Sequence, residues 1–187
     1  PPSPPSGEGP DRHRPIELPP QGPEYLLVDG YNMIFAWDEL NALAKLDLSS
    51  ARTALADILC NYQGFRQNRI ILVFDAYKVP GGAGSVAKYH NIHIVYTKEA
   101  ETADAYIEKA SYQLTKEHRR VLVASADFAE QLIILGHGAL RMSAQELRLE
   151  VEQANGEIRD ILERQAPLPK GSGGMREAFR RAIEDKH

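Results

Sequence analysis

From Glu24 onward the chain alternates short, almost wholly apolar runs with longer stretches of helical spacing. Tyr25–Val28, Ile70–Phe74, Ile92–Tyr96 and Val121–Ala124 read as strands, and Ala139–Met142 as a weaker one. Between the first two, Ala51, Ala54, Leu55, Ile58, Leu59 and Tyr62 recur at three- and four-residue steps, which predicts a helix capped by Ser49 or Ser50. Thr102 is placed to cap another helix that runs to about Glu117, and a short helix is expected after Asp127. Ser143, with Glu146 three residues on, forms a capping box that opens a last helix to about Gln165. Strands that are apolar on both faces and alternate with helices belong to a parallel sheet covered on both sides. The expected fold is α/β, a three-layer α/β/α sandwich around a mostly parallel central sheet, over residues 24–165.

The flanks lack this pattern. Residues 1–23 hold most of the prolines and few apolar positions, so they read as a disordered, extended linker. Such a leader is expected of a piece of a longer protein, or of a tail that follows another domain. After Gln165 the stretch PLPKGSGG breaks the helix, and residues 166–187 are expected as a flexible tail with a loose helix over Met175–Lys186.

Composition narrows the class. A hydrophobic fraction of 43% and a charged fraction of 26% suit a globular chain of 187 residues with a sizeable core. No apolar run is long enough to span a bilayer, and no charged-then-apolar leader is present. The one cysteine, Cys60, excludes an internal disulfide and a cysteine-based zinc site, and its apolar helical setting reads as packing. These features place the protein in the cytoplasm and away from membranes. The net charge of −4 argues against a protein coated in nucleic acid, though it allows a basic rim around an acidic centre.

The acids are where the pattern becomes chemical. The first strand ends in Asp29, the second in Asp75; the fourth is followed by Ser125, Ala126 and Asp127, and the third by a segment carrying Glu101 and Asp104. In a parallel sheet, ligands bind beyond the carboxyl ends of the strands. Each acid has a plainer reading. Asp29 can turn the chain before Gly30, Asp75 can be a loop residue, Asp127 can cap a helix, and Asp104 can favour a helix macrodipole. Together they are expected to converge. Asp104 lies three residues before Ile107, which with Ala110 and Leu114 forms a buried stripe, so it should head that stripe and face the sheet. Two carboxylates about 4 Å apart repel by roughly 4 kcal/mol at an effective dielectric near 20. Such a cluster must protonate, spread or bind a cation, and oxygen ligands favour Mg²⁺ or Mn²⁺. That chemistry serves phosphoryl transfer.

The segments VDGYN (Val28–Asn32), FDAYKV (Phe74–Val79), YTKEAETADAYIEK (Tyr96–Lys109) and ASADFAEQ (Ala124–Gln131) resemble the NYN domain, in its YacP-like branch, within the PIN-like nuclease superfamily. The resemblance runs from about Glu24 to Gln165. It implies a PIN-like α/β/α sandwich and a metal-dependent endoribonuclease that uses Mg²⁺ or Mn²⁺. Its acidic positions fall here on Asp29, Asp75, Asp104 and Asp127 as metal ligands, with Asn32 and Glu101 beside them. Asn32 would position a water or a phosphate oxygen. Glu101 would be an outer ligand or orient water, or would merely be a charge at a helix start. The resemblance further implies RNA as substrate, mRNA cleaved on the ribosome, and it extends to fusions behind GTPases of the tetracycline-resistance ribosomal protection type, in which the proline-rich leader would be a linker.

Substrate must reach this acidic rim. Lys78 and Lys98 follow the second and third strands, and Arg52 sits in a first helical turn; each is a candidate for phosphate contact or for simple solvation. Tyr31 and Tyr77 can stack on bases or pack in the core. The glycine-rich stretch Lys78–His90 lacks the ending of a P-loop and reads as a mobile flap. His90, His93 and His137 suggest no metal pair or catalytic triad. The rivals are an RNA- or ribosome-binding module of the same fold with little catalysis, and a small-molecule phosphatase, which the absence of a DxD arrangement after the first strand disfavours. The last helix, Ala144–Arg164, can pair with a second copy or pack on its own sheet, so oligomeric state is open.

Overall fold

The structure, a computed structural model, describes residues 19–76, 83–126 and 133–165. Its elements run β1 (Tyr25–Asp29), α1 (Gly30–Ala36), α2 (Asp38–Leu46), α3 (Leu48–Arg66), β2 (Arg69–Phe74), β3 (Ala83–Tyr89), β4 (Ile92–Lys98), α4 (Ala103–Lys116), β5 (Val121–Ala124), β6 (Ile133–Ile134), β7 (Leu140–Met142) and α5 (Ala144–Gln165). The described strands form one mixed sheet in the order β3-β4-β2-β1-β5-β7-β6. The pairs β1–β2, β1–β5, β2–β4 and β5–β7 are parallel, as expected of apolar strands joined through helices. Only the edge pairs β3–β4 and β6–β7 are antiparallel.

The two faces of the sheet are covered unequally. Leu26, Val28, Ile70, Leu72, Phe74 and Ile92 point to the side of α1, α2, α3 and α5, where the larger core lies. Leu27, Val73, Val95, Val121 and Val123 point to the other side, where α4 is the one helix among the described residues that packs, through Ala103 and Ile107. The central strand β1 is the switch point. The chain leaves it toward β2 through α1–α3, and later crosses from β4 to β5 on its other flank through α4. The crevice such a reversal opens lies beyond the end of β1.

Several local expectations hold. Thr102 caps α4 by accepting from the Ala105 amide at 3.1 Å, and Ser143 caps α5 through the Glu146 amide at 3.1 Å. Others are corrected. The cap of α3 is Asp47, whose carboxylate accepts from the orphan Ser49 amide at the helix start and also from the Ser50 hydroxyl. The glycine-rich stretch is no flap over Ala83–Tyr89. It is β3, a hairpin partner of β4 through a turn at His90–Asn91. The first half of α5 buries Ala144, Leu147, Val151 and Ala154 in the core of its own chain. Most of the 1–23 leader, the helix expected after Asp127, and 166–187 lie outside the described residues, although Gln21 donates its amide to His118. Among the described residues no helix is long and apolar enough to cross a membrane.

The glycine after Asp29 has a packing reason. Gly30 is buried in the first turn of α1, and a Cβ there would overlap the ring of Phe74, itself fully buried at the end of β2. The Asp-Gly pair is therefore no turn away from the sheet; it lets α1 start directly on the neighbouring strand. Gly30→Ala is expected to cost about 2–3 kcal/mol in urea denaturation by overpacking. The loss should shrink in a Phe74→Leu background; additive losses would show that the ring is not the obstacle.

Candidate active site

Asp29 closes β1 and is 6% exposed. It also caps α1, accepting a long 3.4 Å hydrogen bond from the Asn32 amide. A carboxylate so placed has lost most of its water and gained one weak donor. Burial pushes its carboxyl up to about 6, against the pull of the Asn32 amide, and the negative charges of Asp75 and Asp104 push it further the same way. Asp75 and Asp104 thus lie within electrostatic range of Asp29.

Asp75, one residue beyond β2, accepts from the Ala103 amide at 2.5 Å and so ties the start of α4 to the end of the strand. A second clip lies beside it. The Thr97 hydroxyl, 1% exposed at the end of β4, accepts from the Ala76 amide at 3.1 Å and donates to the Glu101 carbonyl at 2.7 Å. These bonds hold the ends of β2 and β4 and the approach to α4 in one arrangement. Nothing in the sequence pattern singled out Thr97, since a threonine within a strand is ordinary; only its two partners reveal its role.

Asp104 corrects the expected helix face. The buried stripe of α4 steps back four residues from Ile107 to Ala103, not three to Asp104. The Asp104 side chain is 70% exposed and pairs at 3.9 Å with Arg141 of β7. It therefore stands at the lip of the crevice, within electrostatic reach of Asp29. Glu101 is half-buried, and its charge is felt by the Tyr106 hydroxyl. Among the described residues, no three acids, histidines or cysteines are drawn tightly enough to form a closed metal cluster. Asp127 and the cation Lys78 lie outside the described residues, as does Tyr77.

The remaining candidates separate. Tyr31 is 4% exposed and packed against Phe74 and Phe35, which makes it core and removes it from base stacking. Arg52 donates to the Tyr31 hydroxyl at 3.3 Å behind the rim. Lys98 is exposed at the last position of β4. Two further groups join the site. Arg141 brings a cation to Asp104. Ser125, 2% exposed, follows β5 where the β1–β5 register continues opposite Asp29, and its hydroxyl has no hydrogen-bond partner among the described residues. A buried, unpartnered hydroxyl beside a buried carboxylate, with Asp75 and Asp104 near, is a set of hard oxygen donors that fits a divalent cation. It would fit a soft metal poorly.

Two outcomes follow from these placements. The unfolded carboxyl of Asp29 titrates near 3.9, below its folded value, so its ionisation works against folding at neutral pH and ceases to do so once both states are protonated. In chelator, Asp29→Asn, which keeps the cap, should gain roughly 3 kcal/mol at pH 8, with the gain fading between pH 6 and pH 4. A gain that persists at pH 3 would rule out burial of the charge as its cause. Thr97→Val should cost about 2 kcal/mol or more in denaturant unfolding, because it strands a buried amide and a carbonyl. A neutral result would mean that the clip is dispensable.

Comparison with known proteins agrees with this geometry. A family profile described as the YacP-like NYN domain matches residues 26–181. The curated Bacillus subtilis (strain 168) protein named "Uncharacterized protein YacP" is 39% identical over 162 residues, which are 86% of this chain and 95% of that protein. The crystal structure of Rae1 (YacP) from Bacillus subtilis is similar at a TM-score of 0.64 and 39% identity, covering 86% of this chain and 92% of that one. A crystal structure of a point mutant of that same protein matches at a TM-score of 0.64 over 76% of this chain and 83% of that one. With acids at the strand ends, a mostly parallel sheet under unequal helical layers, and a match over most of its length, this chain belongs to the YacP-like NYN domain family, a nuclease-type family.

Proposed function

We propose that this protein is a divalent-metal-dependent endoribonuclease of the cytoplasm, whose substrate is RNA, specifically mRNA in a ribosome-associated setting. The observation that carries the reading is the buried Asp29 carboxylate at the end of the central strand, facing the charges of Asp75 and Asp104 with too few donors to stabilise it. A site built for an apolar substrate or for structure alone has no use for that arrangement.

Asp29 and Asp75 would hold Mg²⁺ or Mn²⁺, with Asp104 at the lip and Asp127 as the further acid. Such an ion supplies a water of lowered pKa and offsets charge on the phosphate. The chain's own groups do the rest. Asp75 is kept rigid by the start of α4, and Asp29 by its place in the sheet. Asn32 positions the attacking water or a phosphate oxygen, and Lys98 and Arg141 draw the scissile phosphodiester to the rim. Glu101 orients water from outside. Attack of water on phosphorus breaks the bond to the 3′-oxygen, which leaves with a proton as a hydroxyl, and the phosphate stays on the 5′ side of the downstream fragment. The ribosomal setting rests on the family resemblance.

The test is cleavage of end-labelled single-stranded RNA with Mg²⁺ or Mn²⁺. Asp29→Asn and Asp75→Asn should each lower the rate about 10²-fold or more, in line with the loss of a preorganised charge at a reacting centre. EDTA should abolish cutting. Undiminished cleavage in EDTA, or by either variant, would refute the mechanism. The exposure of Asp104 favours one alternative, a binding module with weak catalysis; RNA affinity without cleavage under every metal condition would select it.

A further inference from the structure

We propose that the exposed edge of the sheet beside α4, at β3 and the starts of β2 and β4, is a second RNA-binding surface, a cationic trough that holds the single strand flanking the phosphodiester at the acidic rim. The proposal rests on the nuclease reading only for the position of the cut. α4 packs on β1, β5 and β2 and reaches Val95 of β4, whereas on the same face Val86 and Lys88 of β3 and His93 at the start of β4 are exposed. A cavity of about 740 Å³ lies there, toward the starting ends of β2 and β4. Its floor includes Ile71 and Val95, and Val86 of β3 is 66% exposed beside them.

Its charge is opposite to that of the chain. Lys88 and His93 face each other across β3 and β4, His93 lies next to Ile71 of β2, and Arg69 opens β2 with its guanidinium over the Tyr25 ring at 6.0 Å. No carboxylate lines the cavity among the described residues, although acids outnumber bases in the whole protein. Among the described residues neither Arg69 nor Lys88 is in an ion pair. Asn68, 6% exposed, also lines it, and its buried side-chain oxygen has no partner among the described residues. Cations for phosphate, a tyrosine face and an amide for bases are the elements of a single-strand site.

The trough and the rim share one face. By alternation Ile71, Val73 and Asp75 point the same way, as do His93, Val95 and Thr97. Four residues of strand separate Ile71 from Asp75, about 13 Å, or roughly four stacked nucleotides at about 3.4 Å each. Tyr106 of α4 joins the two ends, for its ring lines the cavity while the Glu101 charge reaches its hydroxyl. An acidic centre repels the polyanion it must cut, so the attraction has to come from cations set apart from it. The trough supplies them at a distance the Asp29 cluster does not cancel.

The experiment is titration of the full chain with a labelled single-stranded RNA of about twelve nucleotides, long enough to run from trough to rim, in EDTA at several salt concentrations. Arg69→Ala/Lys88→Ala should weaken binding about tenfold and reduce the slope of log affinity against log salt by about 1.4, as two phosphate contacts disappear at about 0.7 each. Arg69→Lys/Lys88→Arg should keep the slope, and thermal melting should show both doubles folded. A dinucleotide, too short to reach the trough, should be cut by the alanine double at the wild-type rate with Mn²⁺. Unchanged affinity and slope in the alanine double would overturn the proposal, and the nuclease reading would stand if Asp75→Asn still lost cleavage. If the wild type cuts no RNA, that reading fails, while the salt slope still decides for or against the trough. Competition by a nucleoside monophosphate as effective as the whole strand would make the cavity a small-nucleotide site and sink the proposal, as would concentration-dependent self-association abolished by the alanine double.

Discussion

A buried carboxylate sits at the end of the central strand of this protein with one weak hydrogen bond among the described residues. Asp29 cannot move out of that position. Its backbone is paired with β2, the residue before it is paired with both β2 and β5, and the residue after it enters α1 at once, where Gly30 rests against the ring of Phe74. The sheet thus imposes burial on a group that burial disfavours, and the neighbouring acids add to the cost instead of relieving it. A fold that keeps such a group at its switch point carries a standing demand for a positive partner. The site chemistry is the response to that demand.

The parts around Asp29 make the demand specific. Asp75 gives one oxygen to the first amide of α4, and Thr97 clips the ends of β2 and β4 to the same corner, so the second acid is fixed by bonds that have nothing to do with ligand. Ser125 contributes a buried hydroxyl with no partner among the described residues. Asp104 answers to Arg141 at the lip. Asp29 is buried, Asp75 is half-buried and held by the start of α4, and Asp104 is exposed and paired. Such a set of oxygens suits a hard cation better than a soft one.

The uneven covering of the sheet has its own consequence. Among the described residues four helices cover one face, whereas on the other α4 covers the central strands and leaves β3 and the start of β4 exposed. Acid and base are thereby sorted along a single surface, with carboxylates at the ends of the parallel strands and, at their beginnings, Arg69 and His93 with Lys88 of the antiparallel β3 beside them. A flexible polyanion can use both ends at once; a small phosphate ester can use only one.

The apolar runs alone announced the parallel sheet, and the capping residues Thr102 and Ser143 announced their helices, because strand burial and helix capping are local physics written into adjacent residues. That Asp29 and Asp75 end neighbouring strands was legible for the same reason. What the sequence could not carry were relations between distant segments. Asp104 was read three residues before Ile107 when packing took the four-residue step to Ala103, a choice made by the sheet and not by the helix. The strand at Ala83–Tyr89 was hidden under glycines, whose freedom is resolved only by pairing with β4. Thr97, Arg141 and Ser125 gained their parts from partners far away in the chain. Residue type and spacing determined which acids were available and in what order along the sheet. Tertiary packing decided how deeply each was buried, and burial sets how strongly a carboxylate needs its counter-charge.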